Sequence, residues 1–391
     1  MVYNIAMKIV HKNLVSITVS SLIFKLGSGL VGVFLPLILI NEGLHIWQVC
    51  LFYAGYGGFK LLVNYPVFKA INKHGAKPGL VFGYLASVTY LVALSLFITI
   101  GNPISLYIAA LMMAIMNSFL WNSSHLHISQ EMDSSRKSRD LAMIANLSRI
   151  VGIISPIAGG ILAATLGTGW LTATSAFVVL LSIVPILKIS NIGEKHRSDI
   201  GLRYSLKYAP SRDLIANAGF NAHTLVGAMV WPIYLAVFIP SFTQIGYIDA
   251  ISTAIAVVVL HATAKRSDKG KSYRVLVEGT AMSSLVHLGR IFASSNPFTI
   301  TVISSFYDIA LSYQQNPWTS IYYSHAKKNK IQYILSMEIA GDLTYVLMWG
   351  LIGIVAYTTQ SNMFFFIAFN IAAAVAWLCL FVTRDKHSTT Q

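Results

Sequence analysis

The chain has 391 residues, of which 55% are hydrophobic, 12% aromatic and only 11% charged. A soluble domain carries about 25% charged residues, so a water-soluble globule, a coiled coil and a disordered chain are all excluded. The formal net charge of +14 accompanies a mean hydropathy of +0.64, and the apolar runs reach the roughly 20 residues that a helix needs to cross a bilayer core.

These runs predict an all-α membrane protein with twelve transmembrane helices, at 14–40, 46–68, 79–100, 104–127, 141–165, 168–187, 213–238, 243–263, 273–293, 298–324, 334–358 and 361–383. Barrel strands would be about ten residues long with strict alternation. The breakers Gly101-Asn102-Pro103, Gly167-Thr168-Gly169 and Asn296-Pro297 fall between spans. Lys8 and Lys12 precede an apolar run far longer than a signal-peptide core, so no cleavable signal is expected. With the N-terminus placed inside, 23 of the 28 Lys and Arg residues fall in cytoplasmic segments, Arg274 sits at the cytoplasmic edge of span nine, and none falls in the outer loops. The positive-inside rule thus predicts both termini in the cytoplasm, in a plasma or inner membrane. Charges dispersed over short loops meet lipid headgroups and argue against nucleic acid.

Span one carries Thr18, Ser21, Lys25, Ser28 and Gly32 at helical spacing. Lys25 lies near its middle, where a charge costs roughly 2.5–3.5 kcal/mol and needs a partner, water or a task. Span two holds Lys60, and the loop after it reads Phe68-Lys69-Ala70-Ile71-Asn72-Lys73-His74-Gly75-Ala76-Lys77. Span four carries Asn117, Trp121, Ser124 and His125. Span five holds Arg149 and then Gly152-Ile153-Ile154-Ser155-Pro156-Ile157-Ala158-Gly159-Gly160, where proline kinks the helix and small residues admit a close neighbour. The polar stretch 188–212 divides the chain into a six-helix bundle at 1–187 and another at 213–391. Span seven carries Asn217, Asn221, Thr224 and Trp231, and Ser267-Asp268-Lys269-Gly270-Lys271 follows span eight. Span ten carries Asp308, Ser312, Gln315, Thr319 and Tyr322, and span eleven carries Glu338 and Asp342 on one face. Glu278 and Arg290 lie near the ends of span nine, where snorkelling accounts for them. Asp249, near the end of span eight, is ambiguous between the same readings. Cys50 and Cys379 read as packing residues, and His125 and His127 point about 200° apart on a helix, so no metal site is expected.

The halves echo each other. Leu120-Trp121-Asn122-Ser123-Ser124-His125 in span four matches Pro317-Trp318-Thr319-Ser320-Ile321-Tyr322 in span ten, as duplicated transporter halves do. Six plus six helices, the central loop, the loop motif at 68–77 with its echo at 267–271, and the span-five motif resemble the major facilitator superfamily. The loop has Asn72 where that family has Asp and Phe68 where it has Gly. The span-five motif is similar to that of the family's drug–proton exchangers, with Ser155 replacing a glycine.

The resemblance implies a central cavity lined by spans one, four, seven and ten. The candidate cavity residues are then Ser21, Lys25, Ser28, Asn117, Trp121, His125, Asn217, Asn221, Trp231, Asp308, Gln315 and Tyr322, the alternative being hydrogen bonds that only join helices. It also implies that spans two and eleven meet. Lys60 and Asp342, with Arg149 and Glu338, are expected as gate charges, and Asp308 as a proton carrier or a partner of Lys25. Asn72, Lys73, Gly75, Lys77, Asp268, Lys269, Gly270 and Lys271 are the expected cytoplasmic gate loops, and Gly152, Pro156, Gly159 and Gly160 the kink. The expected function is a secondary active transporter of a small solute, proton-coupled and working by alternating access. An exporter of amphipathic drugs or lipids, and a non-transporting receptor or scaffold of the same fold, are the alternatives. No Walker A sequence or nucleophile motif occurs, so no enzyme and no cofactor are expected.

Overall fold

Inside a bilayer each segment must satisfy its own backbone N–H and C=O groups, and the apolar runs of this chain do so as helices. The computed structural model describes the backbone of residues 2–131, 137–188, 208–266, 272–326, 330–359 and 361–383, and side-chain surroundings for 15–124, 147–188, 208–258, 272–326, 332–359 and 362–383. Span one runs Val2–Val31, passes through a 3-10 turn at Gly32–Phe34 and resumes at Leu35–Asn41. Spans two to five are Ile46–His74, Ala76–Ile100, Pro103–Glu131 and Lys137–Leu166, and span six is Thr168–Leu181 with Ile183–Leu187. Span seven is broken into Ser211–Leu225, a π-helical segment Val226–Val230 and Trp231–Phe238. Spans eight to eleven are Phe242–Arg266, Ser272–Arg290, Pro297–Ala326 and Lys330–Thr358, and span twelve is Ser361–Val375 ending in a 3-10 turn. The described residues contain no strand. Among them, nine spans are long and apolar enough to cross a membrane; spans eight, nine and ten, the last two carrying Arg290 and Asp308, fall outside that set. The expected all-α, twelve-span architecture of a multi-pass membrane protein is therefore present.

The turn residues act as the sequence requires. Gly101 ends span three at φ +71°, its N–H bonded to Phe97 O, a left-handed cap that a side chain would strain. Asn102 Oδ1 then accepts from Ile104 N at 2.9 Å, and Asn296 Oδ1 accepts from Phe298 N at 2.9 Å. Each asparagine is followed by a proline opening the helix, so spans four and ten begin with the same cap.

Two compact units are present: residues 1–32 with 62–199, and residues 33–61 with 200–391. In the first, span one packs against spans three, five and six. Ser20 Oγ donates to Ser182 O at 2.6 Å and lies 3.1 Å from the Tyr84 hydroxyl, and Ser175 Oγ donates to Gly27 O at 2.6 Å. The span-five motif lies along span one: a Cβ on Gly29 would strike Ser155, and one on Gly159 would strike the backbone carbonyl of Leu30. The kink motif is thus a close-packing surface for span one.

In the second unit Asp213 ties four segments together. It sits in the first turn of span seven, where an acid complements the helix dipole. Its carboxylate accepts from Thr383 N at 2.8 Å and from the Tyr333 hydroxyl at 2.9 Å, and lies 2.9 Å from His325 Nδ1. An amide keeps one acceptor oxygen and turns an N–H₂ toward these donors. Asp213→Asn is therefore expected to lower stability by roughly 1.5–3 kcal/mol, read as an earlier thermal unfolding midpoint of the purified protein in detergent.

Candidate functional site: charges buried within the spans

The sharpest cluster joins spans two and eleven. Lys60 Nζ lies 2.7 Å from Asp342 Oδ1 and 3.9 Å from Glu338 Oε2. Asp342 is 2% exposed, and Tyr56 and Tyr345 are within electrostatic reach of the same ammonium. One turn of helix separates Glu338 from Asp342, which presents both carboxylates to one lysine. Further along the same spans Tyr53 stacks on Trp349 at 4.8 Å. Beyond that, an apolar cavity of about 290 Å³ is lined by Trp47, Leu51, Ala54, Trp349, Gly353 and Tyr357. The charged cluster has one cation and two carboxylates, so it can hold an ion pair and still take up or release a proton.

Arg149, grouped with these charges in the sequence, lies in the first unit, within electrostatic reach of Lys25. The Lys25 side chain is exposed on that unit and runs past Gly152, where a Cβ would lie 3.5 Å from its Cε and Nζ. Ser28 Oγ lies 3.4 Å from Lys25 O, and Ser21 is within hydrogen-bonding reach of Tyr84. On span four, Asn117 Nδ2 donates to Met113 O at 3.1 Å, and Trp121 is exposed. The side chain of His125 lies outside the described residues, as do Asp268, Lys269, Gly270 and Lys271 of the second gate loop. In the first loop Gly75 takes a φ of +94° between spans two and three, and Lys77 Nζ donates to Leu187 O at 3.3 Å. Asn72 and Lys73 lie in the last turn of span two.

The second unit holds the remaining candidates. Asn217 is buried and donates to Met337 O at 2.6 Å, and Asn221 Nδ2 donates to Asn217 O at 2.9 Å. Trp231 Nε1 donates to Ser304 Oγ at 2.9 Å. Asn217 and Trp231 therefore make helix–helix bonds within their unit, while Asn221 bonds back to its own helix. Gln315 is exposed and Tyr322 buried. Asp308 is in electrostatic contact with Asp249, and the Ser252 hydroxyl lies between the Asp308 carboxylate and Asp249 O, 3.0 Å from the latter.

Two features were not anticipated from the sequence. Snorkelling fails for Arg290: it is 1% exposed, with its guanidinium 4.0 Å from the Tyr307 ring centroid and 4.4 Å from that of Trp231. The last turn of span nine faces the bundle, and aromatic faces replace the water that snorkelling would supply. The second feature is a buried amide pair in the first unit, Asn122 Nδ2 donating to Asn64 Oδ1 at 2.6 Å. It lies one residue away from the stripe read on span four.

Residues 17–202 match the family model of the Major Facilitator Superfamily. A comparison with curated proteins gave no match. Similar solved structures include the nucleoside transporter NupG, as a point variant, with 12% identity, a TM-score of 0.72 and coverage of 94% of this chain and 98% of that one. A bacterial homologue of the iron transporter ferroportin in an inward-facing state has 11% identity, a TM-score of 0.69 and coverage of 94% and 97%. A POT family transporter in complex with 5-aminolevulinic acid has 10% identity, a TM-score of 0.72 and coverage of 94% and 95%. Identities this low carry the fold alone. The resemblance to the Major Facilitator Superfamily read from the sequence is thereby shown: its family model takes residues 17–202, and the solved transporters named above share the fold of the chain.

Proposed function

We propose that the chain is a secondary active transporter that moves a small solute by alternating access, driven by proton binding, with 1–187 and 213–391 as the two moving halves. The observation that carries this reading is the Lys60–Asp342–Glu338 cluster, buried between membrane helices. A static ion pair needs only one carboxylate per lysine. The second, Glu338, gives the cluster two charge states that differ by one proton, and a proton shifts a conformational equilibrium only where its affinity differs between the states. Lys60 paired to Asp342 holds one state, and protonation at Glu338 or Asp342 as the pair separates favours the other. The span-five motif is occupied by packing against span one and carries no argument for efflux or antiport.

Proteoliposomes with an imposed pH gradient test the reading. Glu338→Gln is expected to abolish gradient-driven accumulation while solute exchange at equal pH persists, because exchange needs the conformational cycle without net proton movement. Accumulation in Glu338→Gln equal to the unsubstituted protein would remove Glu338 from the coupling. Failure of any solute to move, with or without a gradient, would favour a receptor or scaffold of the same fold.

A further inference from the structure

Arg290 lies in a cluster of buried polar atoms that no described residue satisfies. Its Nε and Nη1 have no hydrogen-bond partner, nor do both ring nitrogens of His223, both ring nitrogens of His287, or the hydroxyl of Tyr307. These atoms are more than half of the buried side-chain polar atoms without a partner among the described residues. His223, His287 and Arg290 are at most 1% exposed. The two imidazoles are 5.8 Å apart, and His287 is 5.3 Å from the Tyr307 ring. The two rings over Arg290 compensate its charge, but a π face does not engage the N–H edge of a guanidinium. Asp308 is close enough to act on Arg290 electrostatically, yet Ser252 already binds its carboxylate, and neither Nε nor Nη1 reaches an acceptor.

An unmade hydrogen bond at a buried donor costs roughly 1–3 kcal/mol, more for a charged one, and several at one place mark a site built for an acceptor. The Arg290 nitrogens can only donate. A guanidinium held against aromatic rings keeps its N–H groups in its own plane, clear of the ring faces and open to anionic oxygens; each imidazole and the phenol can add one N–H or O–H donor beside it. We infer that Arg290, with His223, His287 and Tyr307, binds the oxyanion group, carboxylate or phosphate, of an organic anion that the protein carries, an assignment of substrate class that rests on the transport reading above. The wall formed by Trp231 and Tyr307 suits an anion with a flat apolar body. The π segment Val226–Val230 immediately precedes Trp231, and Gly227 in it is pressed against the Tyr307 hydroxyl. A π turn is a point where a helix changes register, so a shift there moves Trp231, on one side of it, relative to His223, on the other, and opens the wall over Arg290.

Thermal unfolding of the full-length purified protein tests the site without a transport assay. The probes are benzoate, phenyl phosphate, the neutral isostere benzamide, and sodium chloride at matched ionic strength. Benzoate or phenyl phosphate is expected to raise the unfolding midpoint saturably, beyond the effect of chloride, with benzamide inert; whichever anion acts identifies the oxyanion. Arg290→Lys keeps the charge but loses the planar edge and is expected to weaken the apparent affinity at least tenfold. His287→Gln should weaken it a few-fold. Equal responses to benzamide or chloride, an unchanged affinity in Arg290→Lys, or no shift with either anion would overturn the inference and leave the donors to buried water. An anion-specific shift without transport of any solute would retain the site and remove the transport reading. Transport of a neutral solute, indifferent to Arg290→Lys, would do the reverse.

Discussion

Lys60→Ala is expected to abolish transport and to lower stability by about 3–5 kcal/mol, the cost of leaving a buried charge without its partner. The substitution strands Asp342, which is 2% exposed, beside Glu338. Asp342→Asn should be milder, because Lys60 retains Glu338 within 3.9 Å. The double variant Lys60→Met/Asp342→Leu is expected to regain much of the lost stability, since buried ion pairs replaced by apolar groups of similar volume are often no less stable. It should remain inactive in proteoliposomes. Stability and activity thus separate: a cluster that only glued helices would recover both together. Unfolding midpoints of the three variants, beside their transport rates, read the difference.

Gly159→Val is expected to prevent accumulation of folded protein or to cost about 3 kcal/mol or more. Overpacking costs typically 1–3 kcal/mol when side chains can yield; here the obstruction is the backbone of Leu30, which cannot rotate away. The motif at 152–160 therefore tolerates substitution unevenly. At Gly152 a Cβ meets only the flexible end of Lys25 at 3.5 Å, so Gly152→Ala should be well tolerated. Gly58→Ala in span two, where a Cβ would meet nothing within 4 Å, serves as the neutral control and should gain slightly from helix propensity. Yield and unfolding midpoint of the monodisperse fraction measure all three.

The spans were legible because a bilayer imposes one period and one length on every segment, and breakers such as Asn102-Pro103 and Asn296-Pro297 punctuate them. Lys60 and Asp342 could be paired on paper because intramembrane charges are few and the family resemblance put their helices side by side. Arg290 could not be read this way. It stands at the end of its span, and position along a helix does not say whether the last turn faces water, lipid or protein. A signal was present in the spacing: His287 and Arg290 share one face of span nine, and His223, Gly227 and Trp231 share one face of span seven. Span four shows a different failure. Polar residues occur on two of its faces, and the pattern marks Trp121 and Ser124 as readily as Asn122, which is the residue that makes a buried bond across helices. Asp213 was hidden because its partners, Tyr333, His325 and Thr383, are more than a hundred residues away in sequence.

Proton movement measured inside proteoliposomes tests the central claim most directly. With a pH-sensitive dye enclosed and a panel of organic anions added outside, the unsubstituted protein should produce a solute-dependent pH change for at least one of them. Glu338→Gln should bind the same solute and produce no pH change. A pH response of equal size in Glu338→Gln, or transport of the solute with no accompanying proton, would contradict the account.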